Sequence, residues 1–450
     1  MKILLTVHQF FPEYTSGTEV LTLSVARELI RQNHEVHILT GFPSEKELND
    51  SERLDEYDYE KIHVYRFHHN YTMLSNQSSV AELSFNNHLA EYFFAQILKN
   101  FKPDIIHFFH LNRLGTGLIE RATKSGIRVF MTPTDFWSIC TTGQLVLSNG
   151  NLCSGPDQSS ANCVKHVTQN TQKGFIGKFA GIVPTRIFYL IAKVSKKYRS
   201  TSPSFLNEIN AISLRLETNI SRINQLTGIL SPNPFMTELL IKYGIKPHLI
   251  RQSAFGIDMG DKKTRIRKKQ PEKPLVIGFI GTLNQHKGCH ILIEAFRTIS
   301  KEDAILKIYG SGDDFPSYSN MLKQLAAGNN SIEFCGTFPN SKIHSVMFNL
   351  DVLVVPSLWY ENTPLVIYSA QASGCPVVAS ELPGISGVIK NKINGLLFET
   401  GNTQALTSKL KQLLNNTELL QKLSENSKQP KSTRDYVEEL LSLWRDNTSK

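Results

Sequence analysis

No apolar run in this 450-residue chain is long enough to cross a membrane. The longest ones, FIGKFAGIV from Phe175 and IFYLIA from Ile187, are interrupted by Lys, Arg or Pro well short of the roughly 20 residues that a spanning helix needs. The N-terminal stretch MKILLTVHQFFPEYTSG also lacks a small-residue cleavage site after its apolar segment. We therefore expect no transmembrane segment, and a buried first strand where a signal peptide would otherwise stand.

Acidic residues are fewer than basic ones, with 40 Asp and Glu against 49 Lys and Arg, which gives a formal charge of +9. This excess indicates acidic partners, which are phosphates on a small molecule, anionic lipid or nucleic acid. The two basic runs, KVSKKYR from Lys193 and KKTRIRKK from Lys262, do not alternate with aromatic residues as a nucleic-acid platform does. We therefore expect no nucleic-acid partner, and the second run is typical of a solvated linker.

Short apolar strands alternate with helical patterns in both halves of the chain. In the first half the strands are KILLTVH, EVHILTG, DIIHFFH and IRVFMTP, with a helix predicted around Leu83 to Asn100. In the second half they are LVIGFIG, ILKIYG, SIEFCG, VLVVPS and PVVAS. Alternation of this kind predicts an α/β fold of two doubly wound, Rossmann-like domains with parallel sheets. Two such domains facing each other would leave a cleft at the carboxyl ends of their strands, where such sheets bind ligands.

The domain boundary is predicted after the segment SAFGID, where a charged, proline-flanked stretch begins. The cysteine-containing loop and helical insertion of the first domain cover about 136–228. The last helix should pack back toward the first domain, because Tyr436, Val437, Leu440, Leu441 and Trp444 share one face. The predicted parts are an N-terminal domain at 1–258, a linker at 259–274, a C-terminal domain at 275–431 and a C-terminal helix at 432–450.

Three strand-to-helix loops of the second domain carry chemistry suited to a phosphate or a hydroxyl. Lys287 lies between a strand and a helix that starts near Cys289, where a cation and free backbone N–H groups can hold phosphate. Gly310 forms a glycine turn, and Glu361 precedes a helix that Pro364 is expected to start. Each feature alone also fits an ordinary surface lysine, turn or helix-dipole charge. Their occurrence on one sheet favours a ligand site.

The chain resembles the retaining glycosyltransferases of family 4, which have the GT-B fold of two facing Rossmann-like domains with an inter-domain cleft. The resemblance covers nearly the whole chain. It is carried by FFPEYTSGTEV, TDFWSICTTGQLVLSNGNLCSGPD, AFGID, GTLNQHKGCHILIEAF, YGSGDD, PSLWYENTPLVIYSAQASGCPVVAS and NGLLFETGN.

The resemblance implies roles for individual residues. Lys287 would bind the donor diphosphate, the Gly17 turn would bring backbone amides to the donor, and Glu361 would contact hydroxyls of the donor sugar. The second acid of the family's motif is replaced by Ser369, which keeps one neutral hydrogen bond to the ribose. We predict that Lys287, Glu361 and His107 are catalytic and that no cofactor is required. The remaining predicted donor-binding residues are Thr18, Thr282, Gly310, Asn362, Thr363, Pro364 and Leu365.

Four positions depart from the family's pattern: Thr134, Ser369, Gly387 and Asn402 stand where polar or acidic residues are usual. These changes fit either a divergent active subfamily or an enzyme that has lost activity. His107 could replace the histidine that is missing at Thr134, or it could be a satisfied histidine that closes a strand. His8 has a similar status.

Two further segments have alternative interpretations. Cys140, Cys153, Cys163 and His166 could close a tetrahedral structural zinc site, or they could be unpaired thiols of a reducing compartment. A disulfide among them would need an oxidising compartment. The stretch from Gly174 to Tyr198 mixes apolar and basic residues and could lie at a membrane surface or pack on its own domain.

We predict a retaining, metal-independent glycosyltransferase that acts on a UDP- or GDP-sugar donor. Its acceptor would be a hydroxyl of a glycan or a lipid-linked molecule in cell-surface polysaccharide synthesis. The expected location is cytoplasmic, with peripheral contact to the inner face of the membrane left open. The alternatives are a sugar-nucleotide epimerase or hydrolase on the same fold, and a donor-binding or scaffolding protein without turnover.

Overall fold

The computed structural model describes residues 1–44, 48–70, 77–171, 175–195, 204–258, 264–270 and 272–446. Three predicted segments lie wholly or partly outside these described residues. They are the linker, the basic run that starts at Lys193, and the end of the C-terminal helix. The chain divides into two compact units, which are called unit 1 (Met1–Ala254 with Thr433–Lys450) and unit 2 (Phe255–Ser432).

Unit 1 contains an eight-stranded sheet in the order β3-β4-β2-β1-β5-β6-β7-β8. All neighbouring strands are parallel except β3 and β4, which are antiparallel. The central strand β1 is buried after its first residue, because a parallel sheet has helices on both faces. The strands are β1 (Lys2–Val7), β2 (Glu35–Pro43), β3 (Leu54–Tyr59), β4 (Ile62–His69), β5 (Ile105–Phe108), β6 (Arg128–Met131), β7 (Gly228–Ser231) and β8 (Ile250–Gln252).

One predicted helix of unit 1 is interrupted in the structure. The helix that we predicted around Leu83 to Asn100 is divided in two, because Asn87 caps a new helix by accepting a hydrogen bond from the backbone N–H of Ala90 at 3.1 Å. The helices are α1 (Gly17–Arg31), α2 (Val80–Leu83), α3 (His88–Phe101), α4 (Gly117–Lys124), α5 (Ala161–Thr171), α6 (Phe175–Ile182), α7 (Thr185–Ser195), α8 (Phe205–Ile223) and α9 (Pro234–Lys242).

The last helix of the chain, Thr433–Asp446, belongs to unit 1 and is numbered α17 after the helices of unit 2. Its predicted apolar face is buried, with Tyr436 and Trp444 among the most completely enclosed side chains. The backbone carbonyl of Trp444 accepts a hydrogen bond from Arg128 at 2.6 Å, and Glu438 accepts one from Gln32 at 3.0 Å. Helix α17 is thus part of the core of unit 1.

Unit 2 contains a fully parallel six-stranded sheet in the order β11-β10-β9-β12-β13-β14. Its core joins the strands to helices α10, α11, α15 and α16. The strands are β9 (Leu275–Ile280), β10 (Ala304–Tyr309), β11 (Ile332–Gly336), β12 (Val352–Val355), β13 (Val377–Ser380) and β14 (Gly395–Phe398). The helices are α10 (Cys289–Phe296), α11 (Pro316–Ala326), α12 (Ile343–Phe348), α13 (Leu365–Ala372), α14 (Pro383–Ser386), α15 (Thr403–Asn415) and α16 (Thr417–Glu425).

The chain order reverses at the centre of this sheet. From β9 the sheet extends to β10 and β11 on one side and to β12, β13 and β14 on the other. The loops that follow the neighbouring strands β9 and β12 therefore run in opposite directions. The place where they separate is called the switch point, and doubly wound sheets form a ligand crevice there. Among the described residues, no helix is both long enough and apolar enough to span a bilayer.

Candidate functional site

Lys287 and Glu361 meet at this switch point of unit 2. Lys287 ends a short 3-10 turn after β9, and Glu361 lies in the loop between β12 and α13. The Nζ atom of Lys287 donates a hydrogen bond to Oε1 of Glu361 at 2.8 Å. The Lys287 side chain is 25% exposed and that of Glu361 only 6%. The pair therefore presents a cation at the surface and keeps its carboxylate inside.

Glu361 is held as a carboxylate by three donors. In addition to Lys287, the hydroxyl of Ser357 and the indole Nε1 of Trp359 donate to the same oxygen, Oε1, at 2.7 and 2.8 Å. Burial alone would raise the pKa of Glu361, but the charge of Lys287 and these hydrogen bonds outweigh it and lower the pKa below the ordinary glutamate value. The side chain is thus a charged acceptor that is fixed in place.

Aromatic rings enclose the lysine. Nζ of Lys287 lies 4.9 Å from the ring centroid of Trp359, within range of a cation–π contact. The His286 ring meets Trp359 edge to face at 4.9 Å. Burial, with the charge of Lys287 next in effect, lowers the pKa of His286 to about 4. His286 is therefore neutral at physiological pH, and Lys287 is the cation of this loop.

Two glycines let the loops approach each other this closely. Gly288 has φ +71°, and a Cβ atom there would collide with the backbone carbonyl of Pro356. A Cβ atom on Gly384 would collide with the backbone carbonyl of Glu361 itself. Any larger residue at either position would push apart the loops that join Lys287 to Glu361.

The backbone between Glu361 and α13 is strained. Thr363 has φ +139°, which is rare for a β-branched residue, and it is buried. Such conformations occur where the surrounding structure imposes them, often at ligand sites. Helix α13 begins at Leu365, so Pro364 is the N-cap and not the first helical residue that we predicted. Asn362 is buried beside these residues.

Ser369 lies one turn into α13 and is almost fully buried. Its hydroxyl donates to the backbone carbonyl of Leu365 at 3.2 Å. The Ser369 oxygen can still accept a hydrogen bond, but its proton is used within the helix. A serine here is thus a weaker partner for a ribose hydroxyl than the acid that the family usually has.

The other predicted donor-binding residues of unit 2 occupy neighbouring strand ends. Thr282 is exposed after β9, and Gly310 follows β10 with its backbone N–H bonded to the carbonyl of Gly336 at 2.9 Å. Gly387 ends the short helix α14. Asn402 caps α15 by accepting a hydrogen bond from the N–H of Ala405 at 2.9 Å, so this departure from the family's pattern keeps a capping side chain.

In unit 1, the Gly17 turn lies where helix α1 begins. Gly17 is exposed and Thr18 half-buried, and the side chain of Ser16 makes no capping hydrogen bond. The first N–H groups of a helix have no partner within the helix and favour an anion or a polar ligand. The donor contact of Gly17 and Thr18 stays a prediction.

His107 is a structural residue in this fold. It is fully buried, with Nε2 2.9 Å from the hydroxyl of Thr132 and Nδ1 accepting a hydrogen bond from the indole of Trp444 at 3.3 Å. Burial lowers its pKa to about 3. This placement does not support the catalytic role that we predicted for His107, because both ring nitrogens already have partners in the core. Thr134 donates to the carbonyl of Phe109 at 3.1 Å and is likewise a structural contact.

A row of four titratable side chains, which we did not predict as a group, lies at the carboxyl edge of the unit 1 sheet. Nε2 of His110 is 2.9 Å from Oδ2 of Asp135 but outside hydrogen-bond geometry. The rings of His110 and His8 are 4.2 Å apart, and Nε2 of His8 is 3.7 Å from Oε1 of Glu19. The backbone N–H of Asn112 donates to Nδ1 of His110 at 3.0 Å, which assigns the proton of a neutral ring to Nε2.

Glu19 is the most unusual member of this row. It is fully buried in the first turn of α1. Within the described part of the chain its carboxylate oxygens have only contacts that fall short of full hydrogen-bond geometry, from the backbone N–H groups of Ser16 and Glu19 and the side chain of Gln9. Burial raises its pKa to about 7, although nearby backbone N–H groups and Gln9 oppose the shift. Burial also lowers the pKa of His8 well below its usual value, with His110 contributing. Glu19 therefore changes charge near neutral pH beside an uncharged imidazole.

The predicted zinc ligands lie around one cavity of about 10 Å³ in unit 1: Cys140, Cys153, Cys163 and His166 all line it. In the described ranges, however, no group of three or more His, Cys, Asp or Glu side chains is arranged to hold a metal ion. Nε2 of His166 is 2.9 Å from the amide of Asn170, and burial raises the pKa values of the Cys153 and Cys163 thiols. A bound zinc ion would itself deprotonate the thiols, so their raised pKa values do not decide the matter and the zinc site stays a prediction.

The site in unit 2 therefore combines a surface cation, a fixed buried carboxylate and two nearby helix N-termini. A cation beside helix N-termini binds phosphate, and a fixed carboxylate accepts hydrogen bonds from hydroxyls. This combination is chemically suited to a phosphorylated, hydroxyl-rich ligand, which defines the class of protein to compare.

Comparison with known proteins agrees with this class. Residues 261–430 match the family model "Glycosyl transferases group 1", and residues 15–147 match "Glycosyltransferase Family 4". A putative glycosyltransferase, YtcC from Bacillus subtilis, is 31% identical over 190 residues, which are 40% of this chain and 45% of YtcC. The putative colanic acid biosynthesis glycosyltransferase WcaL from Salmonella typhimurium is 28% identical over 37% of this chain and 42% of its own length. The matches thus span less than half of either relative.

Among solved structures, HepE from Anabaena in complex with UDP-glucose aligns with a TM-score of 0.61 at 16% identity, over 98% of this chain and 99% of that one. This likeness concerns the fold. Together the two family models match most of the chain, which belongs to the group 1 glycosyltransferases with the GT-B fold. The resemblance inferred from the motifs, and the predicted fold class, are confirmed.

Proposed function

We propose that the protein is a retaining, metal-independent glycosyltransferase. It takes a hexose or related sugar from a UDP- or GDP-sugar and transfers it to a hydroxyl of a glycan or a lipid-linked acceptor in polysaccharide synthesis. The observation that carries the proposal is the contact of 2.8 Å between Lys287 and the buried carboxylate of Glu361 at the switch point of the unit 2 sheet.

This contact supplies the two functions that a sugar-nucleotide donor requires. Lys287 is partly exposed and can turn toward a diphosphate, where a cation stabilises the charge of the leaving group. Glu361 keeps Ser357 and Trp359 as donors when Lys287 moves, so it remains a charged acceptor for sugar hydroxyls. The positive end of α13 lies next to Glu361 in the chain and adds to the stabilisation of the diphosphate.

In the proposed reaction, the bond between the anomeric carbon and the diphosphate oxygen breaks. The acceptor oxygen forms its new bond on the same face of the sugar, and the leaving diphosphate takes the acceptor proton. No protein nucleophile is needed, and the chain acts by positioning and electrostatics. Because Lys287 and a helix N-terminus supply the positive charge, we propose that no divalent ion is required.

Within unit 1 we assign the row of Glu19, His8, His110 and Asp135 to hydroxyl recognition. Nδ1 of His8, Nε2 of His110 and both carboxylate oxygens of Glu19 are buried and make no contact of full hydrogen-bond geometry among the described residues. Leaving such groups without a partner costs free energy, which a bound hydroxyl can recover. His110 takes the role that we first gave to His107, because its Nε2 faces Asp135 and not the core.

The relatives support the choice of substrates. HepE was solved with UDP-glucose, and WcaL is named for colanic acid biosynthesis. A UDP-sugar and a polysaccharide or its lipid-linked precursor are therefore the first donor and acceptor to examine.

The test is a transfer assay with radiolabelled UDP- and GDP-sugars, in which label is followed into lipid and glycan fractions with and without EDTA. We expect transfer from one donor, retention of the anomeric configuration by NMR, and little effect of EDTA. Lys287→Ala and Glu361→Ala should reduce transfer at least a hundredfold, whereas Lys411→Ala, which removes an exposed lysine of α15, should not. Consumption of donor alone would favour the epimerase or hydrolase alternative.

A further inference from the structure

Helix α7 of unit 1 has two apolar faces, and only one of them is covered. Phe188 and Ala192 pack into a small core with α5 and α8, and Ser195 continues this buried face. The second face carries Ile187, Leu190 and Val194, which recur at spacings of three and four residues and so share one side of the helix. A helix that only needed to pack on its own unit would have polar residues there.

The second face is strongly exposed. The exposed fractions are 45% for Ile187, 59% for Leu190 and 49% for Val194, and Ile182 at the end of α6 reaches 81%. Single exposed apolar residues are ordinary on protein surfaces, but a continuous group of them marks an interaction site. We call Ile187, Leu190 and Val194, which share one side of the helix, the α7 stripe.

Basic residues border the stripe. Arg186 and Lys193 are exposed and seven residues apart, so they share the side of α7 next to the stripe, and the half-exposed Tyr189 lies beyond them. In the sequence from Gln158 to Asn207 there are eight Lys and Arg residues and no Asp or Glu. This segment alone accounts for most of the chain's excess of positive charge.

From the covered and uncovered faces of α7 and the charge around them, we infer that the α7 stripe binds the surface of an anionic membrane. An amphipathic helix with apolar residues on one side and Lys or Arg beside them lies in the plane of the lipid headgroups. Anionic headgroups attract the cations, and the apolar side chains enter the boundary with the acyl chains. A protein partner would need acidic groups arranged to match the exposed cations, whereas an anionic bilayer supplies negative charge over any such surface.

The proposal does not depend on glycosyl transfer, because no residue of the stripe belongs to the donor site. It does complement that function, since a membrane-bound enzyme meets a lipid-linked acceptor in two dimensions. The helix is 11 residues long, about 16 Å, and its stripe is narrow, so the binding should be reversible and should need both the apolar and the electrostatic contribution.

The test is cosedimentation of the full chain with vesicles of phosphatidylcholine alone or of equimolar phosphatidylcholine and phosphatidylglycerol, without donor. We expect binding to the anionic vesicles only. Leu190→Asn should weaken it about tenfold. Arg186→Gln combined with Lys193→Gln should weaken it about twenty-five-fold, since each surface charge is worth about fivefold. Raising the salt concentration should release the wild-type protein.

Ile393→Asn is the matched control, because Ile393 of unit 2 is 56% exposed and should not affect vesicle binding. All variants change exposed side chains, and circular dichroism with calorimetric donor binding will check that both units remain folded. Equal sedimentation with neutral and anionic vesicles, or anionic binding that survives Leu190→Asn, would overturn the proposal. The proposal would also be overturned if the wild type bound no vesicles and instead formed a concentration-dependent dimer that Leu190→Asn abolishes. The stripe would then be an interface between copies of the chain.

Discussion

Two buried glutamates, Glu361 in unit 2 and Glu19 in unit 1, follow parallel strands and lie near the N-terminus of a helix. Their environments are opposite. Glu361 accepts hydrogen bonds from Lys287, Ser357 and Trp359, and its pKa is lowered. In the described structure Glu19 has no cation in hydrogen-bond contact and only imperfect contacts with backbone N–H groups and Gln9, and burial raises its pKa to about 7.

The difference shows what each carboxyl group can do. Glu361 is charged across the physiological range and is already fixed, so it suits permanent recognition of a polar ligand. Glu19 can gain or lose a proton near neutral pH at little cost, which suits a site that waits for a hydroxyl or a water molecule. Burial alone therefore does not define a functional carboxylate. The hydrogen-bond donors around a buried carboxylate decide its role.

The largest expected effect comes from removing the cation that makes the two glutamates differ. Lys287→Ala leaves Glu361 buried without its charged partner, as Glu19 is. Because Lys287 is a quarter exposed, we expect a loss of about 2–3 kcal/mol in the free energy of unfolding, somewhat less than for a fully enclosed pair. Chemical denaturation at neutral pH measures it.

The control for this prediction is the double variant Lys287→Ala with Glu361→Gln. It removes the uncompensated charge, so it should recover at least half of the lost stability. If the double variant is as unstable as Lys287→Ala, the loss arises from packing of the lysine against Trp359 and not from the buried charge.

The second prediction concerns the pH dependence that Glu19 causes. Its pKa is raised from 4.5 to about 7 in the folded state, so the folded state holds more protons than the unfolded state between these values. Stability is therefore greatest below the unfolded value and is lost as pH rises through the folded value. The loss between pH 5 and pH 8 should be about 2 kcal/mol.

Glu19→Gln cannot ionise, so the stability difference between this variant and the wild type should change in the variant's favour as pH rises. Thermal unfolding of both proteins at pH 5 and pH 8 makes the comparison and cancels the titration of other groups, including His8. A difference that is constant with pH would show that Glu19 is not buried as a neutral acid.

The third prediction separates two histidines that lie three residues apart. His107→Asn should cost about 1–2 kcal/mol of stability, because the ring bonds both Thr132 and Trp444 in the core, and it should leave donor affinity unchanged. His110→Asn should cost less than about 1 kcal/mol of stability but should slow transfer at least tenfold. Denaturation and transfer rates are measured for both variants. The reverse pattern would restore His107 as the functional histidine.

The smallest effect is expected at Ser369. Ser369→Ala should weaken the binding of UDP and of the UDP-sugar equally, by about 1 kcal/mol or fivefold, because only one neutral hydrogen bond to the ribose is lost. Calorimetric titration with both ligands measures this. An effect on the sugar-nucleotide alone would place Ser369 near the sugar and not near the ribose.

Much of the fold could be predicted because it rests on periodicity. Nine of the fourteen described strands lie where the apolar patterns predicted them, since buried parallel strands leave a strong signal. The five that were not predicted are β3, β4, β7, β8 and β14. The divided helix at Asn87 was missed because a capping asparagine competes with an otherwise continuous helical pattern. Pro364 was placed one position too far into its helix, an error of the size expected at helix boundaries.

The candidate site was predicted only where one loop carried the signal. Lys287 and Glu361 were identified separately, but their contact was not predicted. It joins two loops that can approach each other only because Gly288 and Gly384 have no side chains. The row containing Glu19 and His110 was missed because its members lie far apart in the sequence. Their positions just after strands or at a helix start were the available signal, and it did not distinguish His110 from the buried His107.

The central claim is that Lys287 binds the donor diphosphate and Glu361 binds the donor sugar. The most direct test is calorimetric titration of the wild type, Lys287→Ala and Glu361→Gln with a UDP-sugar, a GDP-sugar and the two free nucleoside diphosphates. We predict that Lys287→Ala weakens both the sugar-nucleotide and the free diphosphate, and that Glu361→Gln weakens only the sugar-nucleotide. Failure of the wild type to bind any donor at millimolar concentration, or unchanged affinity in both variants, would contradict the claim.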